Sequence, residues 1–136
     1  MNTTTETNTA AANEAIARAM VSAFLQGDLA TVREHFAPEA TWDLPGRGVL
    51  AGTYRGPDAI IGFLARAFEL SGGTLSLEVH DILSSATGAC QVQRVTAELP
   101  GKRLDCVELL SHVIRDGKIV STHHRPDAHA LDAFFG

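Results

Sequence analysis

Basic residues are scarce and scattered in this chain: 11 Lys and Arg stand against 16 Asp and Glu, for a net charge of -5. Nucleic acids and anionic membranes are held by concentrated positive fields, so neither is an expected partner. Cysteine is equally sparse. Cys90 and Cys106 form neither a metal motif nor a disulfide framework, and both are expected as free, buried thiols. No apolar run has the length of a membrane span. The opening "MNTTTETNTAAAN" lacks the basic and apolar regions of a secretory signal. A cytoplasmic protein with a disordered polar tail over 1–9 is expected. Phosphate loops, dinucleotide fingerprints and nucleophile elbows are missing too, so no cofactor is expected.

What is present is enough for one domain. The 136 residues, 45% of them hydrophobic, can bury a single core but not two, and residues 10–136 are read as that domain. Ile16, Ala19, Met20, Ala23 and Phe24 lie at helical spacing before Gly27, and Asp28 can cap a short second helix carrying Leu29, Val32 and Phe36. "ATWDLPG" reads as a strand, followed by a glycine-rich connection. Pro57 then opens a helix whose stripe is Ile60, Ile61, Leu64, Ala67 and Phe68, ended by Gly72-Gly73. From Thr74 the period becomes two, with turns at Thr87-Gly88, Pro100-Gly101 and Asp116-Gly117; four antiparallel strands in a meander are predicted. Asp127 is placed to cap a final helix in which Leu131, Phe134 and Phe135 dock. Helices followed by a sheet define an α+β order, the helices covering one sheet face.

Alternation decides which side chains point inward. From Leu75 to Leu83 the odd positions, Leu75, Leu77, Val79, Asp81 and Leu83, form the face expected to meet the helices. Two-residue loops at each turn carry that assignment forward. Cys90, Val92, Arg94 and Thr96 are then inward, followed by Asp105, Val107, Leu109, Ser111 and Val113, and finally Val120, Thr122 and His124. A three-residue bulged loop at any turn would reverse every face after it. On this register Asp81 meets Arg94, Thr96 meets Asp105, and His124 joins them. His123 points outward with Glu108 and His112.

Asp81 and Arg94 are compatible with two roles, a buried ion pair that fixes register or a catalytic pair. In the second, Arg94 stabilises an oxyanion while Asp81 or His124 moves a proton. Met20, Trp42, Leu44, Val92, Thr96, Asp105, Leu109, Ser111 and Thr122 are the candidate substrate-binding residues. His123 and His124 on opposite faces cannot share an ion, and no metal is expected. The outward set of Glu78, His80, Cys106, Glu108, Leu110 and His112 suits a homodimer interface.

"FLQGDLATVREHFAPEATWDLPG", "LAGTYRGPDAIIGFL", "ELSGGTLSLEVHDIL" and "HVIRDGKIVSTHHRPDAHALDAFF" together resemble the SnoaL-like branch of the nuclear-transport-factor-2-like superfamily. The resemblance implies a cone-shaped α+β barrel, about three N-terminal helices packed on a curved, mostly antiparallel sheet that encloses a pocket, and frequent homodimers. It also implies isomerase, cyclase, dehydratase, epoxide hydrolase or binding functions. The ketosteroid-isomerase positions appear here as Met20, Leu44 and Leu109, which disfavours that chemistry. Limonene-epoxide-hydrolase-like proteins share Arg94, but Thr96 and His124 replace their carboxylates. The acid of SnoaL-type cyclases, on the penultimate strand, falls at Leu109 or Leu110, with Asp105 as the acid remaining on that strand. The expectation is cofactor-independent acid/base chemistry, a cyclisation, isomerisation or dehydration, on a hydrophobic and polyketide-like compound. The alternatives are a non-catalytic small-molecule binder and an epoxide-hydrolase-like hydrolase.

Overall fold

In the computed structural model, which describes residues 3–136, the first helix α1 spans Thr3–Leu25. It buries Ala17, Met20, Ala23 and Phe24, the helical-period stripe of the sequence. It reaches back into the stretch expected as a tail because no glycine or proline interrupts 3–9, and the Thr9 hydroxyl donates to the Thr5 carbonyl at 2.9 Å. Residues 1 and 2 of that expected tail lie outside the described residues. Gly27, at φ +72°, ends the helix. Asp28 caps α2 (Leu29–Glu34) by accepting from the Thr31 amide at 3.1 Å. Strand β1 (Phe36–Leu44) follows at once, so Phe36 belongs to a strand and not to the helix before it.

The glycine-rich connection contains a short strand, β2 (Gly52–Arg55), that the sequence pattern did not announce. Helix α3 (Pro57–Leu70) buries Ile60, Phe63, Leu64 and Ala67. Strands β3 (Ser76–Ser85), β4 (Gly88–Leu99), β5 (Lys102–Arg115) and β6 (Lys118–Arg125) form the predicted meander. Helix α4 (Ala128–Phe135) closes the chain, with Asp127 accepting from the Ala130 amide at 3.0 Å. The six strands are ordered β2-β1-β6-β5-β4-β3 in one open sheet. Every neighbouring pair is antiparallel except β1 with β6. Helices α1, α3 and α4 pack on one face, which gives the cone its interior.

Two bulges govern what that interior contains. In β3, Val79 pairs with Gln93 and Asp81 with Val92, leaving His80 unpaired. The pleat therefore flips: Leu77 and Val79 face inward as expected, but Ile82 is buried while Asp81 and Leu83 are exposed. Strands β4 and β5 inherit the reversal through two-residue turns. Gln91, Gln93, Val95 and Ala97 are buried on β4, and Leu104, Glu108, Leu110, His112 and Ile114 on β5. In β6, Ile114 pairs with Ile119 and Val113 with Ser121. The skipped residue is Val120, and this second bulge restores Thr122 and His124 to the inner face. Gly88 opens β4 so close to β5 that a Cβ there would land on the His112 carbonyl oxygen.

Candidate active site

The space between the helices and the inner sheet face is a cavity of about 80 Å³, several times what one buried water requires. Met20, Phe24, Trp42, Phe63, Leu110 and Leu131 supply much of its apolar wall. The loop after β1 is tied over one end: Asp132 accepts from the Arg47 and Gly48 amides at 3.0 and 3.1 Å. Besides the indole of Trp42, the polar side chains among the described residues that reach the cavity are Gln91, Gln93, Glu108 and His124. The site is therefore an apolar container with one polar patch, the kind of lining that small-molecule pockets have.

The patch is one face of a buried hydrogen-bond chain that crosses four strands. Trp42 Nε1 lies 3.3 Å from His124 Nδ1, and His124 Nε2 lies 2.9 Å from Glu108 Oε2. Gln93 Nε2 donates to Glu108 Oε1 at 2.6 Å, and Gln91 Nε2 to Gln93 Oε1 at 2.5 Å. His112 Nε2 meets Gln91 Oε1 at 3.3 Å, while its Nδ1 meets Thr122 Oγ1 at 2.8 Å. Thr122 is fully buried and Glu108 is 4% exposed. Among the described residues no buried side-chain polar atom lacks a partner.

These partners settle where the hydrogens are. The indole can only donate, so His124 Nδ1 accepts and its Nε2–H donates to Glu108. The Gln91 carbonyl oxygen can only accept, so His112 carries its hydrogen on Nε2, and its Nδ1 accepts from the Thr122 hydroxyl. Burial, reinforced by nearby His124, pushes His112 down to about 4, and a neutral imidazole follows. Each donor in the chain points toward Glu108, whose two oxygens meet only N–H groups. That is the environment of an ionised carboxylate in a water-poor site.

Of the residues singled out in the sequence, Met20, Trp42, Leu44 and His124 line the cavity. Thr122 is inward but stands behind it, against His112. The others are corrected by the first bulge. Asp81 is exposed and accepts from the Ile82 amide. Arg94 lies on the outer face, where its Nε and Nη2 bind Asp105 at 2.7 and 2.6 Å. Val92, Thr96, Leu109 and Ser111 share that outer face, since they alternate with the buried Gln91, Val95, Leu110 and His112. Glu108, His112, Leu110 and Cys106, expected outward, are on the inner side. His123 does point outward, but its partners are Asp43 at 2.6 Å and, through that carboxylate, Arg125. Burial pushes the Asp43 carboxyl up, yet hydrogen bonds from Arg125 and His123 outweigh it and hold the group low. Both thiols are free, as expected, and half-buried. Among the described residues no three His, Cys, Asp or Glu side chains are grouped to hold a metal, and no helix is long and apolar enough to cross a membrane.

Helices closing a cavity over an open, mostly antiparallel sheet make the fold shared by solved structures described as NTF2-like. Within it, residues 17–122 match the SnoaL-like domain, and the chain belongs to that family. The uncharacterized protein Rv0034 of Mycobacterium tuberculosis is 33% identical over 105 residues, 76% of this chain and 80% of that one. Bal32a, from a soil-derived mobile gene cassette, is 32% identical with a TM-score of 0.90, covering 94% of this chain and 99% of its own. TerC, co-crystallized with polyporic acid, is 21% identical with a TM-score of 0.81, covering 91% and 98%.

Proposed function

We propose that this protein is a cofactor-independent proton-transfer enzyme acting on an uncharged, hydrophobic small molecule, with Glu108 as the acid/base. The observation that carries this reading is the placement of Glu108. Among the described residues it is the one carboxyl group on the wall of a mostly apolar cavity, held by N–H groups of Gln93 and His124. A carboxylate on the wall of a cavity largely closed to water can act as general base toward a C–H acid bound within reach of its oxygens. The substrate places an acidic C–H, flanked by a carbonyl, against Glu108. The proton passes to a carboxyl oxygen and the electron pair moves into the carbonyl as an enolate. The amide nitrogens of Gln91 and Gln93 each retain a second hydrogen that can meet the developing oxyanion. The enolate then attacks a second carbonyl, expels a β-hydroxyl or is reprotonated at another atom, and Glu108 returns its proton to the new alkoxide, to the departing hydroxyl as water or to that atom, which gives cyclisation, dehydration or isomerisation. Poly-carbonyl compounds of polyketide type have C–H groups acidic enough for such a base. Polyporic acid in TerC supports a small organic ligand in this fold.

The test is deuterium exchange at the acidic carbon of hydrophobic 1,3-dicarbonyl compounds, followed by proton NMR. The protein should accelerate exchange, and Glu108→Gln should lower that rate roughly 10²–10⁴-fold while ligand binding persists. Exchange by Glu108→Gln at the rate of the unaltered protein sinks the assignment. A second reading, a binding protein without turnover, is favoured by the completeness of the buried hydrogen bonding. It predicts binding by both proteins and acceleration by neither. The epoxide-hydrolase-like alternative depends on Arg94, which lies outside the cavity, and is not carried forward.

The assembly proposed is a homodimer through the outer sheet face, where Leu83, Val107 and Leu109 are 61%, 55% and 43% exposed. Sedimentation should show a dimer that Val107→Asp converts to a monomer; a monomer at the outset, or a dimer indifferent to that charge, argues against the interface.

A further inference from the structure

Glu108 cycles between two protonation states in the proposed reaction, and with an N–H on each of its oxygens its surroundings suit the ionised one best. This raises the question of which neighbour yields when the carboxyl gains a proton. On one side stands His124. For its Nε2 to accept from a protonated Glu108, its hydrogen would have to sit on Nδ1, opposite the Trp42 Nε1–H at 3.3 Å. Two donors would then confront one another in a site where Trp42 is 3% exposed, leaving both unsatisfied. That side is locked.

On the other side stands Gln93, and nothing there is restricted to donating. A glutamine amide reverses its hydrogen-bonding sense by a half-turn, and a neutral imidazole does so by moving its one hydrogen between nitrogens. We propose that Gln93, Gln91, His112 and Thr122 form a reversible hydrogen-bond chain that accommodates the protonation of Glu108, with His112 changing tautomer at its far end. In the ionised state the sense runs toward Glu108: Thr122 hydroxyl to His112 Nδ1, His112 Nε2–H to Gln91 Oε1, Gln91 Nε2 to Gln93 Oε1, Gln93 Nε2 to Glu108 Oε1. In the protonated state it runs away. The Glu108 hydroxyl donates to Gln93 Oε1, Gln93 Nε2 to Gln91 Oε1, Gln91 Nε2 to His112 Nε2, and His112 Nδ1–H to the Thr122 oxygen, whose own hydrogen rotates away from the ring.

The proton count is unchanged apart from the one added at Glu108, because the imidazole holds a single hydrogen throughout. Complete burial keeps it from taking a second and ending the relay. The inference deepens the proposed reaction, since a reversible chain matters only to a carboxyl group that cycles. Gln93, Gln91 and His112 are positioning residues here; they act on Glu108 one through another.

Glu108→Gln imitates the protonated state, since its amide nitrogen is a donor where the carboxylate has none. Long-range proton–nitrogen correlation NMR of the imidazole rings reads both tautomers without a substrate. In the unaltered protein the expected forms are Nε2–H at His112 and Nε2–H at His124. In Glu108→Gln, His112 should shift to Nδ1–H while His124 keeps Nε2–H. Adding Gln93→Met to Glu108→Gln breaks the chain and should return His112 to Nε2–H. The proposal is overturned by Nδ1–H at His112 in the unaltered protein, a measurement that needs no variant to fold. It is equally overturned by a folded Glu108→Gln in which His112 keeps its form or His124 switches in its place. Loss of exchange in Glu108→Gln with no tautomer change would sink the relay and leave the proposed reaction standing; a tautomer change with undiminished exchange would do the reverse.

Discussion

His123 and His124 are neighbours in the chain and belong to different chemistries. Strands β1 and β6 run side by side with Trp42 beside Thr122 and Asp43 beside His123, so each strand sends one side chain to either face. Inward, Trp42 and His124 join Glu108 in the buried chain, where His124 is 8% exposed. Outward, Asp43 binds His123 and Arg125 at 2.6 and 2.7 Å, with the His123 and Arg125 side chains about half exposed. The contacts are as short outside as inside. What differs is the alternative available to each group when a contact is lost: outside, water replaces the partner, and inside nothing does. Contact length alone therefore does not say which cluster matters; the environment does.

The largest stability effect of that contrast is a pH dependence. His112 titrates at about 4 in the folded protein, below its ordinary 6.5, so between those values the unfolded chain binds the proton that the folded one refuses. Stability should accordingly be complete above pH 6.5 and fall by roughly 3 kcal/mol as pH drops toward 4. Urea unfolding across that range measures it, and replacing His112 by Asn should flatten the slope. His35 adds in the same direction, its imidazole also lowered chiefly by burial. A smaller effect follows at the locked end. Trp42→Phe keeps most of the ring volume but removes the N–H that fixes the His124 tautomer, at a cost of about 1–3 kcal/mol, and His124 should then populate both neutral forms by NMR.

The helices were legible because their signals are local: Asp28, Pro57 and Asp127 mark starts, and the apolar stripes mark the buried faces. The meander was legible for the same reason, through its turns. The pairing of β1 with β6 joins residues some eighty positions apart, and no local pattern announces it. The faces failed at one residue, His80, because a bulge changes the count without changing the composition. Strand β5 carried no warning. Apolar residues stand at its even positions, Leu104, Cys106, Leu110 and Ile114, as well as at its odd ones, Val107, Leu109 and Val113, so its own alternation favours an odd inner face no more than an even one with Glu108 and His112 inside. His124 was placed correctly only because the second bulge, at Val120, undid the first.

The smallest expected effects sharpen the same contrast from outside. Arg94 and Asp105 make a two-pronged pair at 2.7 and 2.6 Å, shorter than the His124–Glu108 contact of the buried chain, and the residue pattern alone had placed Arg94 among the catalytic groups. On the outer face its guanidinium stays hydrated when Asp105 is removed, and no cavity atom depends on it. Arg94→Ala should therefore leave the exchange rate within about twofold, and His123→Ala should change stability by less than about 1 kcal/mol, measured in one buffer at moderate salt. A tenfold loss of exchange in Arg94→Ala would mean that the outer face communicates with the cavity. The separation between the two faces of this sheet would then be one of position and not of function.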